Sequence, residues 1–334
     1  MSIQRRQIVE AIEQGQRFLL SAHVNPDGDA IGSLVGLVHL LTSLHKDCEL
    51  VIPPPGVPEK FSWLNFGKPG VAYMLSDANA CRPPSREVDA FLVVDCGTKE
   101  RVQKELQPCL ETYPVLNIDH HPDNTHFGAC NWVDAGKSSV GEMIALLAKD
   151  LNIPLNGALA EGIYLAMATD TGFFTYSNTG PETLRITADI LENGFDLDRL
   201  NRRLQRQSSL NKIHLHGLAM SRAKLYAQGK IGVIRVDREL FERTGTGLED
   251  CEDLVNYIRA IQSVLVAVSL REENGEIKFS LRSWGEVDVK SIAAQFNGGG
   301  HINASGGKIQ APLEQAEAQL VDAIQTRIVD VQRS

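Results

Sequence analysis

Short apolar runs alternate with segments of helical periodicity over the first half of the chain. Four of the runs have the length and composition of buried strands: 18–24, 48–52, 91–95 and 115–118. Three segments carry apolar residues at helical spacing: 30–44, 138–151 and 157–168. Strands that alternate with helices in this way are typical of a parallel sheet covered by helices on both faces.

The pattern changes twice in the second half. Residues from about 181 to 225 are patterned as helices only. Beyond them, three strands are predicted at 230–236, 264–270 and 277–283, and two helices at 248–261 and 311–330. The segment Glu273-Asn274-Gly275-Glu276 is a hairpin turn signal between two of these strands. This pattern predicts a smaller α/β domain with a mixed or antiparallel sheet, of which we take the mixed sheet as the prediction.

The fold class predicted is therefore α/β with two domains. We place an N-terminal parallel-sheet domain at 1–190, a helical linker at 191–228 and the smaller domain at 229–334. A length of 334 residues suits two domains better than one.

Composition narrows the class of protein. A net charge of −9 argues against a protein that coats long nucleic acids, because such proteins have basic surfaces. The six cysteines are scattered without a CxxC pair, which is neither a disulfide framework nor a zinc–thiolate site. Charges interrupt every apolar run before the roughly 18 residues that a membrane span needs. We therefore expect a cytoplasmic protein without a membrane partner.

Four clusters of residues that can bind metals follow apolar segments. A lone Asp after a strand is usually a turn or capping residue. Four clusters are different, because ligands in a parallel sheet gather at the carboxyl ends of strands. The clusters are His23 with Asp27 and Asp29; Asp95; Asp119-His120-His121; and Asp170.

These residue types suit the cleavage of phosphate esters. Two divalent cations about 3.5–4 Å apart can neutralise a phosphate and activate a water molecule. Asp95 stands alone after its strand, so we expect it to bridge such a pair. Imidazole and carboxylate ligands without thiolate favour Mn²⁺, with Mg²⁺, Co²⁺ and Fe²⁺ as rivals.

The motifs resemble those of the DHH phosphoesterase family. Its signature combines His-x-x-Pro-Asp-x-Asp, a lone Asp after a strand, Asp-His-His and a fourth Asp. The segment GGGHINASG resembles the DHH-associated C-terminal domain, and the pairing at this length looks like the NrnA-type oligoribonuclease and pAp phosphatase subfamily. The resemblance extends from about 18 to 310.

The resemblance implies a role for each metal-site residue. His23, Asp27 and Asp95 would hold one cation. The second cation would be held by Asp29, Asp95, His120 and Asp170. Asp119 would orient the site from behind the ligands, and His121 would donate a hydrogen bond to the scissile phosphate.

Further residues would bind substrate. The resemblance assigns the far phosphate and base to Arg282 and His301, next to Gly298-Gly299-Gly300. Consecutive glycines let backbone N–H groups approach a phosphate closely, although a glycine run alone can be a flexible loop. Ser138-Ser139 opens a helix, where an anion can bind or the serines can serve as plain caps.

The function expected is hydrolysis of short oligoribonucleotides and linear dinucleotides to mononucleotides, with removal of the 3′-phosphate of pAp. A manganese-dependent inorganic pyrophosphatase, a RecJ-like single-strand exonuclease and a non-catalytic nucleotide sensor are the alternatives. The glycine-rich segment before His301 argues against the first, the length of the chain against the second, and the complete ligand set against the third. The ranking of nanoRNA, pApA, pGpG and pAp stays open, as do the cellular metal and a homodimeric state.

Overall fold

The structure is a computed structural model that describes residues 1–67, 72–73, 86–205, 208–251, 253–273, 275–285 and 287–333. The chain divides into two compact units, Met1–Arg206 and Gln207–Ser334. This division lies inside the segment predicted as a helical linker. The predicted domain borders themselves stay predictions.

The N-terminal unit is built on a parallel sheet. Among the described residues its strands are β1 (Arg17–Ala22), β2 (Asp47–Val51), β3 (Ala72–Tyr73), β4 (Ala90–Val94), β5 (Val115–Asp119) and β6 (Cys130–Val133). The strand order is β3-β2-β1-β4-β5-β6, and each neighbouring pair is parallel. The predicted parallel sheet is confirmed.

Helices cover both faces of this sheet, as predicted. They are α1 (Ile3–Gln14), α2 (Gly28–Ser43), α3 (Gln107–Thr112), α4 (Val140–Asp150), α5 (Gly157–Asp170), α6 (Pro181–Glu192) and α7 (Leu197–Gln205). Phe18 and Leu20 of β1 join the core formed with α1, α2, α4 and α5, whereas Leu19 joins Cys109 of α3 on the other face. Alternate side chains of one strand therefore fill two cores.

Two glycines let helices α2 and α5 pack against each other. A Cβ at Gly32 would lie 2.5 Å from the carbonyl oxygen of Gly162, and a Cβ at Gly162 would lie 2.5 Å from that of Gly32. Asp29 lies in the first turn of α2 and Asp170 is the last residue of α5. This close crossing therefore helps to set the separation of two predicted metal ligands.

The C-terminal unit contains the predicted mixed sheet. Its described strands are β7 (Lys224–Tyr226), β8 (Ile231–Val236), β9 (Val266–Glu273), β10 (Glu276–Ser283), β11 (Gly299–His301) and β12 (Ala304–Ile309). They lie in the order β11-β12-β10-β9-β8-β7, with β8 and β9 parallel and the other pairs antiparallel. The helices are α8 (Leu210–Ser221), α9 (Arg238–Thr244), α10 (Leu254–Arg259), α11 (Val289–Ala294) and α12 (Leu313–Arg333).

Several elements differ from the sequence prediction. The strand β7 lies in the segment predicted as helices only, and the helix predicted at 248–261 is a short 3₁₀ helix (Leu248–Cys251) followed by α10. The glycine-rich segment contains β11 and part of β12, which its composition concealed because glycine is rare in strands. Asn274 of the predicted hairpin turn lies outside the described residues. None of the described helices is long and apolar enough to span a bilayer.

Candidate metal centre

The predicted ligands come together at one edge of the parallel sheet. His23 directly follows β1, Asp95 directly follows β4, and Asp119 is the last residue of β5. Because these strands are neighbours and parallel, their carboxyl ends bring the three residues together. Asp27 is the N-cap residue of α2, and Asp170 ends α5. Four stretches of chain therefore contribute to one cluster.

One group of potential ligands consists of His23, Asp27 and Asp95. One ligand atom of each lies within 4.8 Å of the others. His23 Nε2 is 3.3 Å from Asp95 Oδ2 and 4.0 Å from Asp27 Oδ1. The other ring nitrogen, Nδ1, is 2.8 Å from the carbonyl oxygen of Val24, which orients the imidazole.

A second group consists of Asp29, His120 and Asp170, again within 4.8 Å. His120 Nε2 lies 3.6 Å from Asp29 Oδ2 and 3.6 Å from Asp170 Oδ2. The same nitrogen is 3.7 Å from Asp95 Oδ1. One oxygen of Asp95 thus faces His23 of the first group, and the other faces His120 of the second.

Asp119 and His121 form a hydrogen-bonded pair behind the cluster. Asp119 is fully buried, and its Oδ1 lies 2.8 Å from His121 Nδ1. The same oxygen accepts the backbone N–H of His120 at 2.9 Å, and Asn124 Nδ2 donates to Oδ2 at 2.6 Å. Asp95, His120 and His121 form a third group within 4.8 Å. Asp119 therefore holds both histidines of the motif through their ring or backbone.

Asp95 has an unusual backbone conformation. Its φ of +53° is in the left-handed region, which a residue with a Cβ seldom adopts outside over-determined sites. Asn117 stabilises this turn: its Nδ2 donates to the carbonyl oxygens of Val93 and Cys96, both at 3.2 Å. The backbone N–H of Asp95 donates to the carbonyl oxygen of Ile118 at 3.0 Å. The turn directs both carboxylate oxygens into the cluster.

Crowded carboxylates change the acidity of the site. Burial raises the pKa of Asp95 well above its usual range, and the charge of Asp29 raises it further. Burial, followed by the charge of Asp29, raises the pKa of Asp170 to about 7. Burial also raises the pKa of Asp29. Without a cation close by, these carboxylates therefore disfavour one another's ionisation.

Two residues of the Asp-His-His motif, His120 and Asp119, also have shifted pKa values. Burial alone would lower the pKa of His120, but the surrounding carboxylates outweigh it, Asp29 first, and raise the pKa to about 9. Burial alone would raise the pKa of Asp119, but the hydrogen bond and charge of His121 keep it below its usual value.

The donor set fits divalent cations. Ligands around an ion at about 2.1 Å lie about 3.0 Å apart when adjacent and about 4.2 Å apart when opposite. The distances between donors here, 3.3–4.0 Å, lie in that range. The Oδ1 atom of Asp95 is buried without a hydrogen-bond donor, a costly state that a bound cation would relieve. The cluster can therefore hold metal ions.

Two of the predicted substrate residues of the C-terminal unit, Arg282 and Gly299, line one cavity. Its volume is about 420 Å³, and Arg282 and Gly299 line it together with Lys278, Ser280 and Lys308. Gly300 has a φ of +136°, which favours glycine. The carbonyl oxygen of Gly306 occupies the space that a Cβ at Gly298 would need. His301 ends β11 and is exposed.

Ser138 and Ser139 are fully buried. Ser139 Oγ caps α4 by accepting the backbone N–H of Glu142 at 3.1 Å, and Ser138 Oγ donates to the Glu142 carboxylate at 2.8 Å. A direct contact of either hydroxyl with substrate stays a prediction. In this structure both hydroxyls organise the start of a helix.

Sequence reasoning missed three polar residues that support the cluster. Asn117 and Asn124 lie behind Asp95 and Asp119, and the buried Glu142 lies under the start of α4. The signal for Asn117 was a polar residue inside an otherwise apolar strand. Nothing in the local pattern distinguished Glu142 from an exposed helix residue.

Comparison with known families places these features in context. The model of the DHH family N-terminal domain matches residues 17–167, and the model of the DHHA1 domain matches 231–330. A curated relative from Thermus thermophilus is 32% identical over 92% of this chain and 89% of its own. The chain therefore belongs to the DHH family, as its motifs predicted.

That relative is named "Bifunctional oligoribonuclease and PAP phosphatase NrnA". A Bacillus subtilis protein of the same name is 29% identical over 95% of this chain and 97% of its own. The crystal structure of an exopolyphosphatase-related protein from Bacteroides fragilis is also similar, with a TM-score of 0.87 and 28% identity. It covers 97% of this chain and 96% of its own. The similarity to all three extends through both units.

The pKa values predict that metal affinity rises with pH. In the metal-free protein, Asp170 holds its proton up to about pH 7 and His120 up to about pH 9. A cation needs both groups deprotonated, so affinity should rise through about pH 7 and level off above about pH 9. For each proton that the cation displaces, the affinity for metal should rise about tenfold per pH unit. Calorimetry in buffers of different ionisation enthalpy would count the protons released.

An affinity that does not change over this range would contradict the assigned ligands. The control is Asp170→Asn, which should release one proton fewer on binding because an amide does not titrate.

Proposed function

We propose that this chain is a two-metal phosphoesterase. It would hydrolyse short oligoribonucleotides and linear dinucleotides (pNpN) to mononucleotides, and remove the 3′-phosphate of pAp. The observation that carries the proposal is the position of Asp95, whose oxygens face His23 at 3.3 Å and His120 at 3.7 Å. A carboxylate between two ligand groups is the arrangement that a two-metal site requires.

The proposed cofactors are two divalent cations. When bound, they neutralise charge on the phosphate and supply hydroxide near neutral pH. His23, Asp27 and Asp95 would hold one; the other would be held by Asp29, Asp95, His120 and Asp170. Carboxylate oxygens and imidazole nitrogens suit Mn²⁺, with Mg²⁺, Co²⁺ and Fe²⁺ as rivals.

The pair of His121 and Asp119 would position the scissile phosphate. Asp119 holds His121 at Nδ1, 2.8 Å away, so Nε2 is the nitrogen that we assign to the phosphate. Because Asp119 is fully buried and also bonded to Asn124, the imidazole is kept in one orientation.

The cavity of the C-terminal unit would hold the far end of the substrate. Its lining includes the cationic side chains of Arg282, Lys278 and Lys308, which suit a terminal phosphate. The two lysines also lie near carboxylates, Lys308 3.1 Å from Glu276 and Lys278 3.8 Å from Glu273. The space that a Cβ at Gly299 would fill is open, so a phosphate could approach the backbone closely there. A cavity of about 420 Å³ accommodates one nucleotide-sized group rather than a long strand.

The names of the relatives support this substrate class over its rivals. Two proteins named as oligoribonuclease and PAP phosphatase are similar along nearly the whole chain. A pyrophosphatase would not need the DHHA1 domain matched at 231–330, and a net charge of −9 disfavours a long-strand exonuclease. A nucleotide sensor would have no reason to keep every ligand of the metal cluster.

We place the enzyme in the cytoplasm. The cysteines in the described part of the chain are free thiols, as expected in a reducing compartment. A homodimer stays a prediction. The partners proposed are short RNA, dinucleotides and pAp, without long nucleic acid and without a membrane.

The substrate class predicts a steep dependence on length. With purified protein and Mn²⁺, dinucleotides and pAp should be hydrolysed much faster than RNA of about twenty nucleotides, which exceeds one small binding site. Salt should have little effect on the dinucleotide rate, because few phosphates are contacted. Pyrophosphate in the same panel tests the main alternative. Equal rates on dinucleotides and long strands, or pyrophosphate as the best substrate, would refute the proposal.

The division of roles between the two units predicts different defects. Asp95→Ala should reduce hydrolysis of a dinucleotide and of bis-p-nitrophenyl phosphate together, by several orders of magnitude, because both need the metals. Arg282→Ala and His301→Ala should raise KM and lower kcat for the dinucleotide, since remote binding energy aligns the phosphate. They should reduce hydrolysis of the minimal ester much less.

The ratio of the two activities in each variant decides between the roles. If His301→Ala abolishes hydrolysis of the minimal ester as fully as Asp95→Ala does, the C-terminal unit takes part in the chemical step and the proposed division is wrong.

A further inference from the structure

The segment 137–141, between β6 and the first turn of α4, is hydrogen-bonded to two ligands of the second group. The carbonyl oxygen of Lys137 lies 3.3 Å from His120 Nδ1. The backbone N–H groups of Val140 and Gly141 donate to Asp29 Oδ2 at 2.8 Å and Oδ1 at 3.1 Å. The segment therefore orients one imidazole and one carboxylate directly.

The same segment is connected to the third ligand of that group. Asn178 Nδ2 lies 3.1 Å from the carbonyl oxygen of Ser138 and 3.2 Å from that of Asp170. This amide holds the end of α5, where Asp170 lies, beside the segment. All three members of the Asp29–His120–Asp170 group are thus tied to 137–141.

The buried carboxylate of Glu142 holds the segment 137–141 in place. Its side chain is 3% exposed. Oε2 accepts hydrogen bonds from Ser138 N at 3.3 Å, Ser138 Oγ at 2.8 Å and Thr183 Oγ1 at 2.7 Å. Oε1 lies 3.2 Å from Lys137 Nζ. Three hydrogen bonds and one opposite charge compensate the burial of the carboxylate.

The first ligand group has other supports. His23 Nδ1 is oriented by the carbonyl oxygen of Val24, Asp27 accepts from the first turn of α2, and the Asp95 turn is held by Asn117. These contacts come from the segments that follow β1 and β4, from α2 and from Asn117 of β5, and none of them involves 137–141. The first group therefore has supports of its own, one of which is the backbone N–H of Asp29, a ligand of the second group.

We propose that Glu142 is a positioning residue for one of the two metal sites, that of Asp29, His120 and Asp170, and leaves the other largely unaffected. The inference rests on the proposed two-metal function. Loss of the Glu142 charge would release Lys137 and weaken the hydrogen bonds of Ser138, and the carbonyl and N–H groups that orient His120 and Asp29 would then shift. Removing such supporting contacts typically weakens metal binding by about 10–100-fold.

Four variants separate this role from general stability. Glu142→Gln keeps the volume and removes the charge. Thr183→Val removes one hydrogen bond to the carboxylate from a different helix, while Thr183→Ser retains the hydroxyl. Thr187→Val is the matched control: it lies one turn further along α6, and its hydroxyl donates to the carbonyl oxygen of Thr183 rather than to Glu142.

The experiment is calorimetric titration of each metal-free protein with Mn²⁺, with circular dichroism and thermal unfolding to establish that the variant is folded. The wild type should bind two Mn²⁺ per chain. Glu142→Gln should bind one with wild-type affinity and the other about 10–100-fold more weakly. Electron paramagnetic resonance should show the coupled Mn²⁺ pair in the wild type, and a single uncoupled Mn²⁺ in the variant at the same concentration.

The possible results test the proposed two-metal function and the role of Glu142 separately. A wild type that binds fewer than two Mn²⁺ contradicts the proposed function itself. A wild type that binds two, with Glu142→Gln unchanged or weakened equally at both sites, overturns only the role of Glu142. If Glu142→Gln does not fold, the Thr183 variants decide. The proposed role then requires that Thr183→Val binds the second Mn²⁺ more weakly, whereas Thr183→Ser and Thr187→Val bind it as the wild type does. Equal binding in all three variants overturns the role.

Discussion

The concentration of negative charge at one sheet edge is the constraint on which the N-terminal unit depends. Asp29 and Asp95 are 2% exposed, yet both are close to further carboxylates. Buried like charges raise one another's pKa and cost stability unless a cation compensates them. The turns and helix ends around these carboxylates hold them in place, in one case with a backbone conformation that is unfavourable elsewhere.

At the Asp95 turn, hydrogen bonds offset part of this cost in stability. A left-handed aspartate is strained, but three hydrogen bonds stabilise its turn, two from the Asn117 side chain and one to the carbonyl oxygen of Ile118. The carboxylate of Asp29, from the first turn of α2, instead faces the N-terminus of α4, where two backbone N–H groups and the helix dipole favour a negative charge. The Gly32–Gly162 crossing brings the helices that carry Asp29 and Asp170 close together. A hydrogen-bonded turn therefore positions Asp95, a helix N-terminus holds the carboxylate of Asp29, and a close helix crossing brings Asp170 near.

The sequence predicted which residues lie together at the sheet edge because the relevant signal is local. His23, Asp95 and Asp119 each follow or end an apolar run, and the topology of a parallel sheet brings such positions together. The strands β11 and β12 were not predicted, because their glycines lack the branched side chains that mark a strand. Glu142 was not predicted either. Its role comes from Thr183, 41 positions away, and from Lys137, whose contacts exist only in the folded unit.

The central claim is that Asp95 joins two cation sites, and anomalous X-ray diffraction at the manganese edge tests it most directly. Crystals of the protein grown with Mn²⁺ should show two anomalous peaks about 3.5–4 Å apart, with one oxygen of Asp95 bound to each or a single oxygen shared. A single peak, or two peaks of which only one contacts Asp95, would contradict the account.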